Sequence, residues 1–106
     1  MKIIKNYRKA TTLDEFAAQY GLEMAVNERS PELVKNGAKP FWASFIGLEI
    51  KEDYCLISRC GNGNTPDEAI VDYCDQISNR PLVYKAYTQQ RCDINPVTIE
   101  PFWTEE

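Results

Sequence analysis

The stretch that decides the fold is Thr65-Pro-Asp-Glu-Ala-Ile-Val-Asp-Tyr-Cys-Asp-Gln-Ile77. Thr65 and Glu68 are spaced as in a capping box, in which each side chain satisfies a free backbone amide of the first helical turn. A proline at the first helical position and acidic residues near the positive end of the helix dipole strengthen this start. The sequence therefore predicts a helix over 66–78. Its core-facing stripe consists of Ala69, Ile70, Tyr73, Cys74 and Ile77.

A second capping box, from Thr12 to Glu15, predicts a helix over 13–20, which ends at Gly21. The segments between and after the two helices alternate between apolar and polar residues, which is typical of strands. We expect 29–40 to be a loop and Gly61–Asn64 to be a turn that ends a hairpin. The predicted strands cover 22–28, 41–50, 54–60, 82–87 and a last extended piece over 94–99.

The predicted elements define an α+β fold. Short strands joined by tight turns favour an antiparallel sheet, here of three to five strands, with two helices packed on one face in a two-layer arrangement. A chain of 106 residues accommodates one domain, 1–106. We divide it into a basic arm over 1–11, a core over 12–100 and a tail over 101–106.

The composition excludes several classes of enzyme. The chain has no histidine, which rules out Ser-His-Asp and Cys-His catalysis as well as His-ligated zinc. The four cysteines contain no C-x-x-C pair and are interpreted as small buried hydrophobes in a reducing cytoplasm. We find no signal peptide and no apolar run of about 18 residues. We therefore expect a cytoplasmic protein with no membrane association, no cofactor and no metal, which is not an enzyme.

The acidic residues are concentrated on the second helix. Residues 1–53 hold as many basic as acidic side chains, so the whole net charge of −4 comes from 54–106. On a helical wheel four carboxylates and one valine lie opposite the core-facing stripe. Such a face either stays solvated or imitates nucleic-acid phosphates toward a basic protein surface. The candidate partner-binding residues are Asp67, Glu68, Val71, Asp72 and Asp75, with Trp103 of the tail as a further contact.

The first nine residues carry four basic side chains and no acidic one. Basic residues interleaved with an aromatic one, here Tyr7, are also typical of segments that follow a phosphate backbone. The alternative function is therefore nucleic-acid binding by this arm, although a solubilising terminus is the simpler interpretation. The residues concerned are Lys2, Lys5, Arg8 and Lys9.

The order of elements from Gly21 to Ile77, preceded by the helix Thr12–Tyr20, resembles a double-stranded RNA-binding domain. Those domains carry lysines at the start of the last helix, where they contact phosphates. Here Pro66, Asp67 and Glu68 occupy these places. The resemblance implies a site of inverted charge, which argues against RNA binding and favours mimicry of a nucleic acid.

The segment Gly61–Tyr73, followed by Leu82–Tyr87, resembles small, uncharacterised proteins encoded by bacteriophages and prophages. This resemblance implies a context in which small acidic proteins inhibit host enzymes or bacterial defence proteins, as anti-CRISPR proteins do. We therefore predict a non-enzymatic phage-type protein, located in the cytoplasm of the bacterial host. It would bind and inhibit or modulate a host or defence protein that has a basic surface. The sequence predicts no oligomeric state.

Overall fold

A computed structural model describes residues 1–2 and 10–101, and within them the chain has an α+β fold, as predicted. The helices are α1 (Leu13–Tyr20), α2 (Pro31–Lys35) and α3 (Pro66–Ile77). The strands are β1 (Thr11–Thr12), β2 (Met24–Glu28), β3 (Phe41–Phe45), β4 (Leu48–Glu52), β5 (Cys55–Ile57), β6 (Gly61–Gly63), β7 (Leu82–Tyr84), β8 (Cys92–Ile94) and β9 (Ile99–Glu100).

The described strands form three small sheets rather than one. An antiparallel sheet has the order β2-β3-β6, and a second antiparallel sheet has the order β5-β4-β7-β8. β1 and β9 form a short parallel pair. Helix α3 packs across the β2-β3-β6 sheet and lies closest to the edge strand β6.

One core joins α1 and α3 with buried residues of both antiparallel sheets and of β9. The ring of Phe45 lies 6.1 Å from that of Phe16 on α1 and 5.7 Å from that of Tyr73 on α3, measured between ring centroids. All three side chains are buried. Burial raises the pKa of Tyr73 to about 12 because the phenolate would lose its hydration. The core-facing stripe predicted for α3 is confirmed, because its residues are buried except for Ile70, which is half-buried and packs against the core.

The single strand predicted over 41–50 is wrong, because it is divided into β3 and β4. Ile46 is exposed and Gly47 has a φ of 79°, a backbone conformation that side-chain-bearing residues rarely adopt. β3 then belongs to one sheet and β4 to the other. The buried positions are odd-numbered in β3 and even-numbered in β4, so the alternation shifts by one residue where the strand breaks. The prediction of a single strand overlooked this shift.

The turn predicted over Gly61–Asn64 is also wrong, because Gly61–Gly63 is the strand β6, paired with β3. A Cβ atom at Gly61 would lie 2.1 Å from the carbonyl oxygen of Ala69, and one at Gly63 would lie 2.5 Å from the amide nitrogen of Ala69. These glycines allow α3 to lie directly against the strand. Their role is close packing rather than a turn.

The remaining differences between the predicted and the observed elements are small. The loop predicted over 29–40 contains the five-residue helix α2, and the last predicted segment is divided between β8 and β9. Cys74 is buried as predicted, whereas Cys55 is exposed and the interpretation of it as a buried hydrophobe is wrong. None of the helices in the described ranges is long and apolar enough to cross a membrane.

Candidate functional site

The start of α3 is built by its cap. The Thr65 hydroxyl accepts a hydrogen bond from the amide of Glu68 at 3.1 Å, which satisfies one free amide of the first turn. The Glu68 carboxylate in turn accepts from the amide of Asn64 at 2.8 Å. The predicted capping box is therefore present, and its carboxylate reaches one residue further back than the usual pattern. Glu68 thus holds the end of β6 to the helix.

Two further side chains of α3, each four residues after the last, also bind the backbone of the neighbouring segment. The Asp72 carboxylate accepts from the amide of Asn62 at 2.8 Å and from the Gln76 side-chain amide at 3.0 Å. Gln76 also donates to the carbonyl oxygen of Cys60 at 2.9 Å. We call Glu68, Asp72 and Gln76 the inner stripe. It closes the outer edge of β6, where backbone groups would otherwise lack a partner.

A second set of residues, also spaced by four, runs beside the inner stripe. We call Asp67, Val71 and Asp75 the outer stripe. All three are exposed, and neither carboxylate makes a hydrogen bond or a salt bridge in the part of the chain that the structure describes. At 1.5 Å per helical residue, the two carboxylates lie about 12 Å apart along the axis, with Val71 between them.

Both stripes border an open groove of about 470 Å³ between α3 and β6. The groove also receives Lys39, which the sequence analysis did not associate with this face. The backbone of its loop is held by Arg29, which donates to the Lys39 carbonyl oxygen at 2.9 Å and to the Asn62 side chain. Four carboxylates and one lysine therefore line the groove, and no salt bridge joins them among the described residues. The lining residues are Lys39, Asn62, Gly63, Asn64, Asp67, Glu68, Val71, Asp72 and Asp75.

The structure thus brings together the five helix residues predicted as a partner-binding face, but it divides their roles. Glu68 and Asp72 hold α3 to β6, while the residues of the outer stripe are free to contact another molecule. Trp103 lies outside the described residues. Nothing in the sequence pointed to Lys39, because it reaches the groove through a loop far from the helix in the chain.

The predicted nucleic-acid site is only partly within the described ranges. Lys2 is exposed. Lys5, Arg8 and Lys9 lie outside the described residues, so the proposal of a basic arm stays a prediction.

The carboxylates of α3 line the groove, whereas the cysteine of this helix, Cys74, is buried. Burial raises the pKa of Cys74 to about 12, with a smaller contribution from the negative charge of Asp75, so this thiol is protonated at neutral pH. Among the described residues, no group of three or more His, Cys, Asp or Glu side chains is placed to hold a metal ion. The groove therefore presents negatively charged side chains at a fixed spacing.

Comparisons with protein-family models, with curated proteins and with solved structures find no match to this chain.

Proposed function

We propose that this chain is a non-enzymatic binding protein of the phage type, which inhibits or modulates a host or defence protein in the bacterial cytoplasm. It does so by placing the outer stripe of α3 against a basic surface of that protein. One observation carries the proposal: Asp67 and Asp75 are exposed and without an ionic partner among the described residues, although their neighbours on the same helix are engaged.

The inner stripe gives this surface its rigidity. Because Glu68 and Asp72 bind the backbone of β6, the helix cannot roll over the sheet without losing these hydrogen bonds. The carboxylates of the outer stripe therefore keep a fixed spacing. A basic groove on a partner attracts negative charges at a matching spacing, whichever chemical group carries them. Val71, which is 37% exposed, supplies an apolar contact between them.

The charge distribution favours a protein partner over a nucleic acid. The net charge of −4 lies entirely in residues 54–106, which include α3, so phosphates are repelled from this face. A basic protein surface is attracted to it, and salt weakens the attraction because the Debye length is about 8 Å at physiological ionic strength. Association that weakens with added salt is therefore an expected property of the complex.

The experiment is capture of proteins from a bacterial lysate with the tagged chain and with Asp67→Lys and Asp75→Lys, singly and together. Each single reversal is expected to weaken retention of the partner about fivefold, which corresponds to ~1 kcal/mol for an exposed ionic contact. Glu32→Lys is the matched control, because Glu32 is an exposed carboxylate on α2, away from the groove.

The proposal predicts a protein that the wild type and Glu32→Lys retain at low salt and that the double variant loses. Its retention must also fall when salt is added. The proposal is wrong if every protein retained by the wild type is retained equally by the double variant.

A further inference from the structure

An apolar hollow of about 230 Å³ lies between α1, α3 and the β2-β3-β6 sheet. This volume is below the usual range of about 300–1,000 Å³ for small-molecule pockets, so the hollow suits one large side chain. Its walls are apolar apart from one carboxylate. The described residues that line it are Leu13, Asp14, Ala17, Met24, Phe45 and Ile70.

The parallel pair of β1 and β9 brings the end of the described chain to this hollow. Glu100 of β9 lies beside Thr12 of β1, and Thr12 immediately precedes Leu13. Leu13 is both the first residue of α1 and part of the wall of the hollow. Pro101, the last residue before the undescribed tail, follows Glu100 directly. The tail therefore starts next to the hollow.

β9 also runs along α3 in the direction of the hollow. The Ile99 amide donates to the Ser78 hydroxyl at 2.8 Å, and the Cys74 thiol donates to the Ile99 carbonyl oxygen at 3.5 Å. The strand thus proceeds from the C-terminal end of α3 toward its start. Ile70 lies one turn before Cys74, about 6 Å along the helix axis. Two residues of extended chain cover about 7 Å, so the chain reaches the level of Ile70 about two residues after Ile99.

We propose that Trp103 inserts its indole ring into the hollow. The two residues that follow Pro101 give the backbone a reach of about 7 Å, which the side chain extends, so the ring can enter between Leu13 and Ile70. The chemistry of the hollow matches an indole. Its apolar walls take the ring, and the Asp14 carboxylate is an acceptor for the indole N–H group. A phenylalanine ring has no such donor, so Trp103 is favoured over the residue before it.

The basic arm joins the fold at the other end of the β1 and β9 pair. The Thr11 amide donates to the Thr98 carbonyl oxygen at 3.0 Å, and the Thr98 hydroxyl donates to the Asn79 side chain at 2.7 Å. β1 therefore begins near the C-terminal end of α3, whereas Ile70 and the hollow lie toward the start of this helix. The arm is thus a less suitable occupant than the tail.

Docking would give Trp103 a place in the fold instead of the partner contact predicted for it from the sequence. The ring would cover apolar walls that are otherwise open to water, and it would tie the tail to α1 and α3. This inference is independent of the proposed function. Binding of a partner rests on Asp67 and Asp75 of the outer stripe, whereas docking is measured on the chain alone, so either proposal can fail without the other.

Fluorescence of Trp103 measures whether the ring is docked. The chain has two tryptophans, and Trp42→Phe leaves Trp103 as the single one. Trp42 lies on the face of β3 opposite to Phe45, so this substitution does not alter the wall of the hollow. In the folded variant we expect emission at shorter wavelength and weaker quenching by acrylamide than in urea. Emission and quenching equal to those in urea overturn the proposal.

Two matched variants in the Trp42→Phe background locate the docking site. Ala17 lines the hollow, whereas Ala18, its neighbour on α1, is exposed. Ala17→Gln fills part of the hollow with a longer polar side chain, so Trp103 emission is expected to shift to longer wavelength. Ala18→Gln adds the same side chain outside the hollow and is expected to leave the emission unchanged. Equal emission from the two folded variants refutes docking at this site.

Nuclear Overhauser contacts in the wild type test the same claim even if Ala17→Gln does not fold. The indole protons of Trp103 are expected to show contacts with the methyl groups of Ala17 and Ile70. In a mixture of isotope-labelled and unlabelled chains, these contacts must stay within one chain. The proposal is overturned if they are absent, if they join two chains, or if Tyr7 of the arm makes them in place of Trp103.

Discussion

Asp72→Ala is the substitution that measures the structural role of the inner stripe. It removes the acceptor of the Asn62 amide at 2.8 Å and one of the two acceptors of the Gln76 side chain. A hydrogen bond to a charged group contributes roughly 1.5–3 kcal/mol, and a buried donor without a partner costs about 1–3 kcal/mol. Because Asp72 is half-buried, we expect the variant to lose about 2 kcal/mol of unfolding free energy.

The matched control is Asp75→Ala, which changes the same residue type in the same helix. Both variants gain the same small increment of helix propensity, so it cancels in the comparison. Removing a carboxylate near the negative end of the helix dipole is neutral or slightly favourable, so Asp75→Ala should stay within about 0.5 kcal/mol of the wild type.

Urea unfolding followed by circular dichroism measures both variants, and the midpoints convert to free energy through a common slope. The expected difference between them is about 2 kcal/mol. If the two variants unfold at the same urea concentration, Asp72 does not hold α3 to β6 and the division into two stripes is refuted.

Gly61→Ala should cost about 3 kcal/mol or more in urea unfolding, because the new Cβ would lie 2.1 Å from a backbone oxygen of α3. Burial raises the pKa of Tyr73 from 10.0 to about 12, so the associated stability is complete below pH 10 and is lost as the pH rises toward 12. Unfolding of Tyr73→Phe measured across that interval should therefore depend less on pH. A thiol reagent should label exposed Cys55 in the native protein and buried Cys74 only on unfolding, which peptide mass spectrometry resolves.

The local signals in the sequence predicted α1 and α3 well, whereas the short helix α2 was predicted as a loop. The capping box at Thr65 and the one at Thr12 set the starts of α3 and α1, because a cap depends only on residues within one turn. The helical wheel also gathered the acidic residues on one face. These features depend only on residues that are close together in the chain, so they can be predicted from one sequence.

The features that the sequence did not predict depend on long-range contacts. Gly61 and Gly63 are typical turn residues, and only the helix packed against them shows that they form an edge strand. The division of the acidic face into an inner and an outer stripe depends on where β6 lies. Lys39 lines the groove although it is far from α3 in the chain, and its loop is held by a contact between Arg29 and the Lys39 backbone. Neither the role of Asp72 nor the presence of Lys39 follows from periodicity.

The most direct test of the central claim is the affinity of the captured partner for the wild type and for Asp67→Lys/Asp75→Lys, measured by titration calorimetry at low and at high salt. Two lost ionic contacts of ~1 kcal/mol each predict binding about 25-fold weaker for the double variant at low salt. The difference should shrink at high salt, where these contacts are screened. Affinities that agree within about twofold at low salt, for a double variant that folds as the wild type does, would contradict the claim that the outer stripe binds the partner.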